Sequence, residues 1–287
     1  MAVYAGEQPT LLRRAVKSVY ENTIEPDSFI LVVDGPIPDL LEEVVSELSS
    51  RPSVRIVRLP RNIGLAAALN VGLEAITTTW IARADSDDRN LPHRFETQAA
   101  ALADANWDID VLGGAILEVD DVGTPLGLRA GPVSESEIRR FAKWRNPFNH
   151  MTIVFRAAAV RAAGGYPAVH LKEDYALWIK MIAAGCRLAN LPDVIVHAHT
   201  GTEMYRRRGG LRYVRSEYKI QKLLVASRLS SRGGAVVRLI MRSLVFLLPN
   251  QFRAWFYIRF LRRSASDLGS NVPLKYHSED GPPEGLR

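Results

Sequence analysis

Three aspartates fall within four positions in "WIARADSDDRNLPHRFE" (Trp80–Glu96): Asp85, Asp87 and Asp88. Carboxylates this close repel one another unless a cation sits among them. Hard oxygen ligands at one loop tip suit Mg²⁺ or Mn²⁺, which keep positions open for substrate phosphates. A solvated acidic turn is the other reading of the same residues. Spacing cannot choose between them, because Asp108-Ile109-Asp110 repeats it. Two further acidic stretches stand out. Asp34 in "VVDGP" reads alone as a turn aspartate ahead of Gly-Pro. Adjacent Glu173 and Asp174 in "HLKEDYALWIKM" read alone as acids complementing a helix dipole.

The elements around these residues point to one edge of a sheet. "FILVVDG" (Phe29–Gly35), "VRIVRLP" (Val54–Pro60) and "WIARAD" (Trp80–Asp85) are short apolar runs. Between them Leu11, Leu12, Ala15, Val16 and Val19 share a helical face, as do Leu65, Ala68, Leu69 and Leu73. Strand–helix–strand repetition predicts an α/β fold with a Rossmann-like, mostly parallel sheet. Ligands of such sheets bind at the carboxyl ends of the strands. Asp34 and the Asp85–Asp88 tip both follow strand ends, whereas the Asp108–Asp110 triplet only begins an extended run. "RNIGLAAALNVGL" places Asn62 and Gly64 at a helix start, with backbone N–H groups awaiting an acceptor. A helix follows Pro92 to about Ala105. "IDVLGGAILEV" is extended and closes at "DDVG". Ser134 and Glu137 form a capping box for a helix through Trp144. A strand over "MTIVF", a helix over "EDYALWIKMIAAG" stopped by Gly185, and a strand over "DVIVHAH" complete this part. His197 and His199 alternate on that last strand near Asp193, a spacing too common to define a metal site.

The 287 residues, 47% of them apolar, allow one large α/β domain with an appendage. One cysteine, Cys186, excludes an intrachain disulfide framework. No signal peptide opens the chain, and "SLVFLLPNQF" is far short of the roughly 20 apolar residues a spanning helix needs. The net charge of +6 is uneven. Residues 206–263 carry 15 Lys plus Arg against one acid, Glu217, or +14. That concentration points to an anionic partner.

In order along the chain, "VYAG", "VVDGP", "RNIGLAAALNVGL", "ARADSDD" and "EDYALWIKMIAAG" resemble glycosyltransferase family 2, the inverting GT-A enzymes. "NPFNHMTIVFR", "MYRRRGG" and "LPNQFRAWFY" are similar to its amylovoran-type exopolysaccharide and capsule branch. The resemblance covers about residues 1–263. It implies a GT-A catalytic domain over 1–209, a basic amphipathic helical region over 210–263 and a disordered tail over 264–287. Only Met1 to Val3 stand before "YAG", where family members carry a full apolar strand, so the expectation is either a true start upstream of Met1 or a truncated first strand. By motif, Asp34 accepts a hydrogen bond from the donor nucleobase, and Arg83 and Asp85 lie near the base and ribose. Asp87 is the principal metal ligand on the diphosphate, Mg²⁺ or Mn²⁺, with Asp88 supporting. Asp174 matches the catalytic base and Glu173 its neighbour. Tyr4 and Asn62 fall in donor-binding motifs. His150 contacts acceptor or diphosphate, or is satisfied within its own loop. Arg207, within Arg206–Arg208, clamps diphosphate or belongs to a solvated basic face.

The resulting expectation is a cytoplasmic, metal-dependent, inverting glycosyltransferase. It moves a sugar from a nucleotide donor to a surface polysaccharide acceptor on a polyprenyl diphosphate. A sugar-phosphate nucleotidyltransferase is the enzymatic rival, but its N-terminal Gly-rich basic loop has no counterpart here. A non-catalytic sugar-nucleotide-binding subunit is a second rival. A nucleic-acid partner is not expected, since the basic helices carry aliphatic runs rather than base-stacking platforms. Residues 234–263 read instead as a peripheral anchor on the inner face of the cell membrane. Val237, Ile240, Met241, Leu244 and Leu248 would form its apolar face, with Arg238 and Arg242 on another. Packing on the catalytic domain, or a homodimer, is the alternative use of these helices.

Overall fold

A computed structural model describes residues 1–200 and 210–247. Arg206–Arg208, the aromatic stretch after Pro249 and the 264–287 tail therefore lie outside the described residues.

The architecture is α/β with a helical C-terminal region. The first sheet is wholly parallel, in the order β1 (Ala2–Val3), β2 (Phe29–Val33), β3 (Val54–Arg58). Every residue of β2 is buried because helices cover both faces. Leu31 and Val33 meet α1 (Pro9–Tyr20) and α2 (Asp39–Ser49) through Leu12, Val16, Leu41 and Val45. Ile30 and Val32 face Ala68, Leu69 and Leu73 of α3 (Leu65–Ala75). Fully burying one such side chain is worth about 1.5–3 kcal/mol.

The second sheet has six strands and is mixed, ordered β4 (Trp80–Ala82), β8 (Val154–Arg156), β6 (Val111–Val119), β9 (Leu188–His199), β5 (Arg89–Asn90), with β7 (Pro125–Arg129) also on β6. Parallel pairing here is confined to β6 and β9. The Rossmann-like, parallel arrangement expected from the sequence is that of the first sheet, while the second mixes strand directions. Between the two sheets a largely apolar cavity of about 420 Å³ is lined by Ile30, Val32, Leu69, Ile81 and Phe155. The Met1 α-amino group, buried beside it, donates to the Ile30 carbonyl (3.0 Å), and burial pulls its pKa down to about 4.

The helices α4 (Arg94–Asp104), α5 (Glu135–Phe141) and α6 (Ala157–Ala162) flank the second sheet. The Ser134–Glu137 capping box is formed, although α5 ends three residues before Trp144. "MTIVF" is not all strand: His150–Thr152 is a 3₁₀ turn, and β8 starts at Val154. The central helix is α7 (Glu173–Ala183), with seven buried side chains spread around it. Such a helix must lie in the interior. Trp178 packs edge-on against Phe148 at 5.4 Å between ring centres. The helix ends in a Schellman motif, with Gly185 at φ +82° and Cys186 N–H bonded to the Met181 carbonyl (3.0 Å).

Two C-terminal helices, α8 (Gly210–Ala226) and α9 (Arg232–Leu247), follow. Ile220 and Leu224 of α8 pack on Tyr175, Ala176 and Ile179 of α7. Helix α9 turns its apolar face outward and an arginine inward. Val237, Ile240, Met241 and Leu244 are each more than half exposed, while Arg238 is buried at 7%.

Candidate active site

The acidic tip emerges where β4 ends, and a buried polar frame holds its backbone. Arg94, fully buried in α4, donates through Nη2 to the Arg83 carbonyl (2.8 Å) and through Nε to Gln98 Oε1 (3.2 Å). Gln98 Nε2 donates to the Thr152 carbonyl (2.7 Å). Burial lowers the Arg94 guanidinium pKa to about 9. These residues escaped the motif reading. Their sequence signal is an Arg and a Gln four apart on the inward face of a helix.

The tip is short of positive charge. Burial pushes Asp85 upward, but Arg83, His150 and the α-amino group outweigh it, leaving this carboxyl below its ordinary value. Arg83 Nη2 lies 2.6 Å from Asp85 Oδ1. Burial and then Asp85 raise Asp87; burial, Asp87 and Asp85 raise Asp88 well above the usual range. Asp88 Oδ1 accepts from the His199 backbone N–H (2.8 Å), while its buried Oδ2 has no protein donor. Arg83 Nε and Nη1 are buried without an acceptor. An orphaned carboxylate oxygen among like charges fits a hard divalent cation, and the orphaned guanidinium donors fit a carbonyl- or phosphate-bearing ligand. Among the described residues no three His, Cys, Asp or Glu side chains converge to enclose a metal.

Across from this tip stands the start of α7. Asp174 Oδ2 accepts from Asn146 Nδ2 (2.6 Å) and Oδ1 from the Tyr175 N–H (2.7 Å). Burial, then the Asp174 charge, raises Glu173 to about 7. His150 is within electrostatic reach of both acidic groups. Its Nε2 pairs with the Tyr166 hydroxyl (3.0 Å), and its pKa is lowered by burial, then by Arg83, against the pull of Asp85 and Asp174. The same Arg83, Asp85, Asp174 and Glu173 charges reach Tyr166. Strand-end and helix-end carboxylates therefore share one electrostatic neighbourhood.

Other predicted site residues sit differently. Asp34 Oδ1 and Oδ2 accept from the backbone N–H groups of Ile63 (2.7 Å) and Gly64 (3.0 Å). The amides at this helix start thus already have their acceptor, and it is protein. Gly35 (φ +87°) permits the contact, because a Cβ there would come within 2.5 Å of Asn62 N. The Asn62 side chain is exposed on that loop, and Tyr4 is 36% exposed at the rim. His199 turns its Nε2 to Asp121 (2.7 Å), while burial and then Arg89 take His197 down to about 4. Arg207 lies outside the described residues. Sequence reasoning missed Asn146, Tyr166 and Lys172, whose partners are distant in the chain.

Residues 1–163 match the family described as Glycosyl transferase family 2, and the chain belongs to that family. It is 34% identical over 257 residues to the amylovoran biosynthesis glycosyltransferase AmsE of Erwinia amylovora, covering 90% of this chain and 96% of that one. It is also 34% identical over 263 residues to an Escherichia coli UDP-Gal:alpha-D-GlcNAc-diphosphoundecaprenol beta-1,3-galactosyltransferase, covering 92% and 95%. The fold is similar to the mannosyltransferase PcManGT from Pyrobaculum calidifontis in complex with GDP-Man and Mn²⁺, with TM-score 0.58, 16% identity, and 88% and 77% of the two chains covered. The protein is a nucleotide-sugar-dependent glycosyltransferase, with homologues in polysaccharide biosynthesis.

Proposed function

We propose that this enzyme is a metal-dependent, inverting transferase that extends a lipid-diphosphate-linked sugar at the inner face of the cell membrane. The observation that supports it most is the pairing of a cation-deficient strand-end tip with a fixed carboxylate, Asp174, across one site. Asp87 and the orphaned Asp88 Oδ2 would hold Mg²⁺ or Mn²⁺. When bound, the ion stabilises negative charge on the departing nucleoside diphosphate. Arg83 offers its unpaired N–H groups to the donor, beside Asp85. Asn146 and the Tyr175 N–H fix Asp174 in one rotamer, from which it takes the acceptor hydroxyl proton during attack at the anomeric carbon. A single displacement inverts that carbon. Asp34 keeps lone pairs beyond its two backbone bonds and borders the donor pocket with Tyr4 and Asn62.

Saturation-transfer NMR against UDP-, GDP- and dTDP-sugars with Mn²⁺ identifies the donor. Transfer to GlcNAc-diphosphoundecaprenol then reads the stereochemistry. Asp174→Asn is expected to lower kcat about 10²–10⁴-fold with donor affinity nearly unchanged. Retained anomeric configuration, or full activity in EDTA, would overturn the reading.

The membrane contact rests on the outward apolar face of α9. Among the described residues no helix is long and apolar enough to cross a bilayer. Arg238 and Arg242 are turned inward, so leaflet attraction falls to exposed Arg212, Arg215 and Lys222 of α8, at about 1 kcal/mol each near an anionic surface. Binding to anionic liposomes should weaken with salt and drop in Ile240→Asp/Leu244→Asp. If that variant binds equally well but loses self-association, the face is a dimer contact instead.

A further inference from the structure

Glu217 is the sole acid in the basic 206–263 stretch, and it is fully buried. Lys172 Nζ meets its Oε2, Arg242 Nε lies 3.4 Å from the same oxygen, and Gln221 Nε2 donates to Oε1 (2.7 Å). Arg238 Nε donates to Gln221 Oε1 (3.1 Å), and its guanidinium stands 5.2 Å over the Trp144 ring. Arg242 Nη1 reaches the Trp144 carbonyl. The network ends at two places beside the candidate base. Lys172 is the N-cap of α7, adjacent to Glu173. Trp144 lies two residues before Asn146, whose amide holds Asp174.

A buried ion cluster is a poor source of stability, because desolvation cancels most of the attraction, and an apolar replacement is often neutral. Its fixed geometry is what such a cluster can supply. We propose that Glu217 is a positioning residue. Through Lys172 and Arg242 it clamps the N-cap of α7 and the Trp144–Asn146 turn, so α8 and α9 help aim Asp174. The lipid-facing helix is thereby linked to the reacting centre. The inference rests on Asp174 as the base.

The test compares Glu217→Gln, the charge-free pair Lys172→Met/Glu217→Leu, Asp174→Asn and their combinations. Transfer is followed with UDP-galactose, Mn²⁺ and a GlcNAc-diphosphate-lipid, and amide exchange at Tyr175 and Ala176 without ligand. Positioning predicts that the charge-free pair keeps its Tm but loses about 10–100-fold in kcat, with donor affinity within about twofold. Exchange at Tyr175 and Ala176 should quicken at least about tenfold while β2 is unchanged. On the Asp174→Asn background the same pair should cost less than about threefold more, because groups acting as a unit are not additive. Wild-type kcat and wild-type exchange in the charge-free pair would overturn the inference. So would full additivity with Asp174→Asn. If Asp174→Asn alone keeps kcat, the assignment of the base fails instead, and exchange still reports the clamp.

Discussion

The two Asp-x-Asp triplets have the same spacing and opposite surroundings. Asp110 Oδ1 accepts from Arg156 Nε (3.3 Å), its Oδ2 accepts from the Arg187 N–H (3.0 Å), and exposed Asp108 pairs with the Arg187 guanidinium. Asp110 thereby ties the starts of β6 and β9 to the end of β8, and each of these charges has a counterpart. At Asp85, Asp87 and Asp88 the acids outnumber their donors, and Asp88 keeps an oxygen with no protein partner. A carboxylate cluster that the protein itself neutralises is a rivet. One left in deficit has a place for a cation.

The largest effect that could break this contrast is at Asp87. Asp87→Ala should reduce Mn²⁺-dependent transfer about 10²–10³-fold or more, since each 1.36 kcal/mol of lost transition-state stabilisation is tenfold. The rise in Tm on adding Mn²⁺ should shrink with it. Near-normal transfer in EDTA by this variant would make the tip an ordinary acidic turn.

Asp110→Asn should do the reverse. Urea unfolding should show a loss of about 1–3 kcal/mol from the weakened bonds to Arg156 and Arg187, with kcat within about threefold. Asp110 is partly buried, so its loss is felt in the fold. A stable but inactive Asp110→Asn would exchange the roles of the two triplets.

Acid titration sharpens the comparison. The folded pKa of Asp88 lies above its unfolded value, so folding takes up a proton between the two. Metal-free stability therefore falls as pH rises through that window. In EDTA, Asp88→Asn should melt above wild type at pH 8, with the gap closing toward pH 4. Glu173, at about 7 when folded, carries the same sign, and Glu173→Gln should gain Tm between pH 5 and 8. A gap that widens at low pH would refute the charge deficit. The smallest change is expected at Asp108→Asn, an exposed pair worth about 0–1 kcal/mol, with activity unaltered.

Much of the site was legible because its chemistry lies at element ends. Asp34, Asp85–Asp88 and Glu173–Asp174 each follow a strand or open a helix, and period and capping residues locate such ends. The same local signals located α7 with its Gly185 stop and the Ser134 cap. They did not reveal α2 or α6, or that "MTIVF" begins with a 3₁₀ turn. Nor could they show that the Ile63 and Gly64 amides are taken by Asp34, since that partner follows β2, with α2 and β3 between them in the chain.

By itself the sequence determined the family, the α/β alternation and the order in which acids meet the ligand edge, because each is written in contiguous residues. Only the tertiary structure decided which acids are neutralised and which are left in deficit. It also turned Arg238 and Arg242 of α9 inward, onto Gln221 and Glu217, and its aliphatic face outward. Helical periodicity distinguishes two faces without saying which one is buried. The buried acid on α8, paired with Lys172 and with Arg242 of α9, goes with that choice.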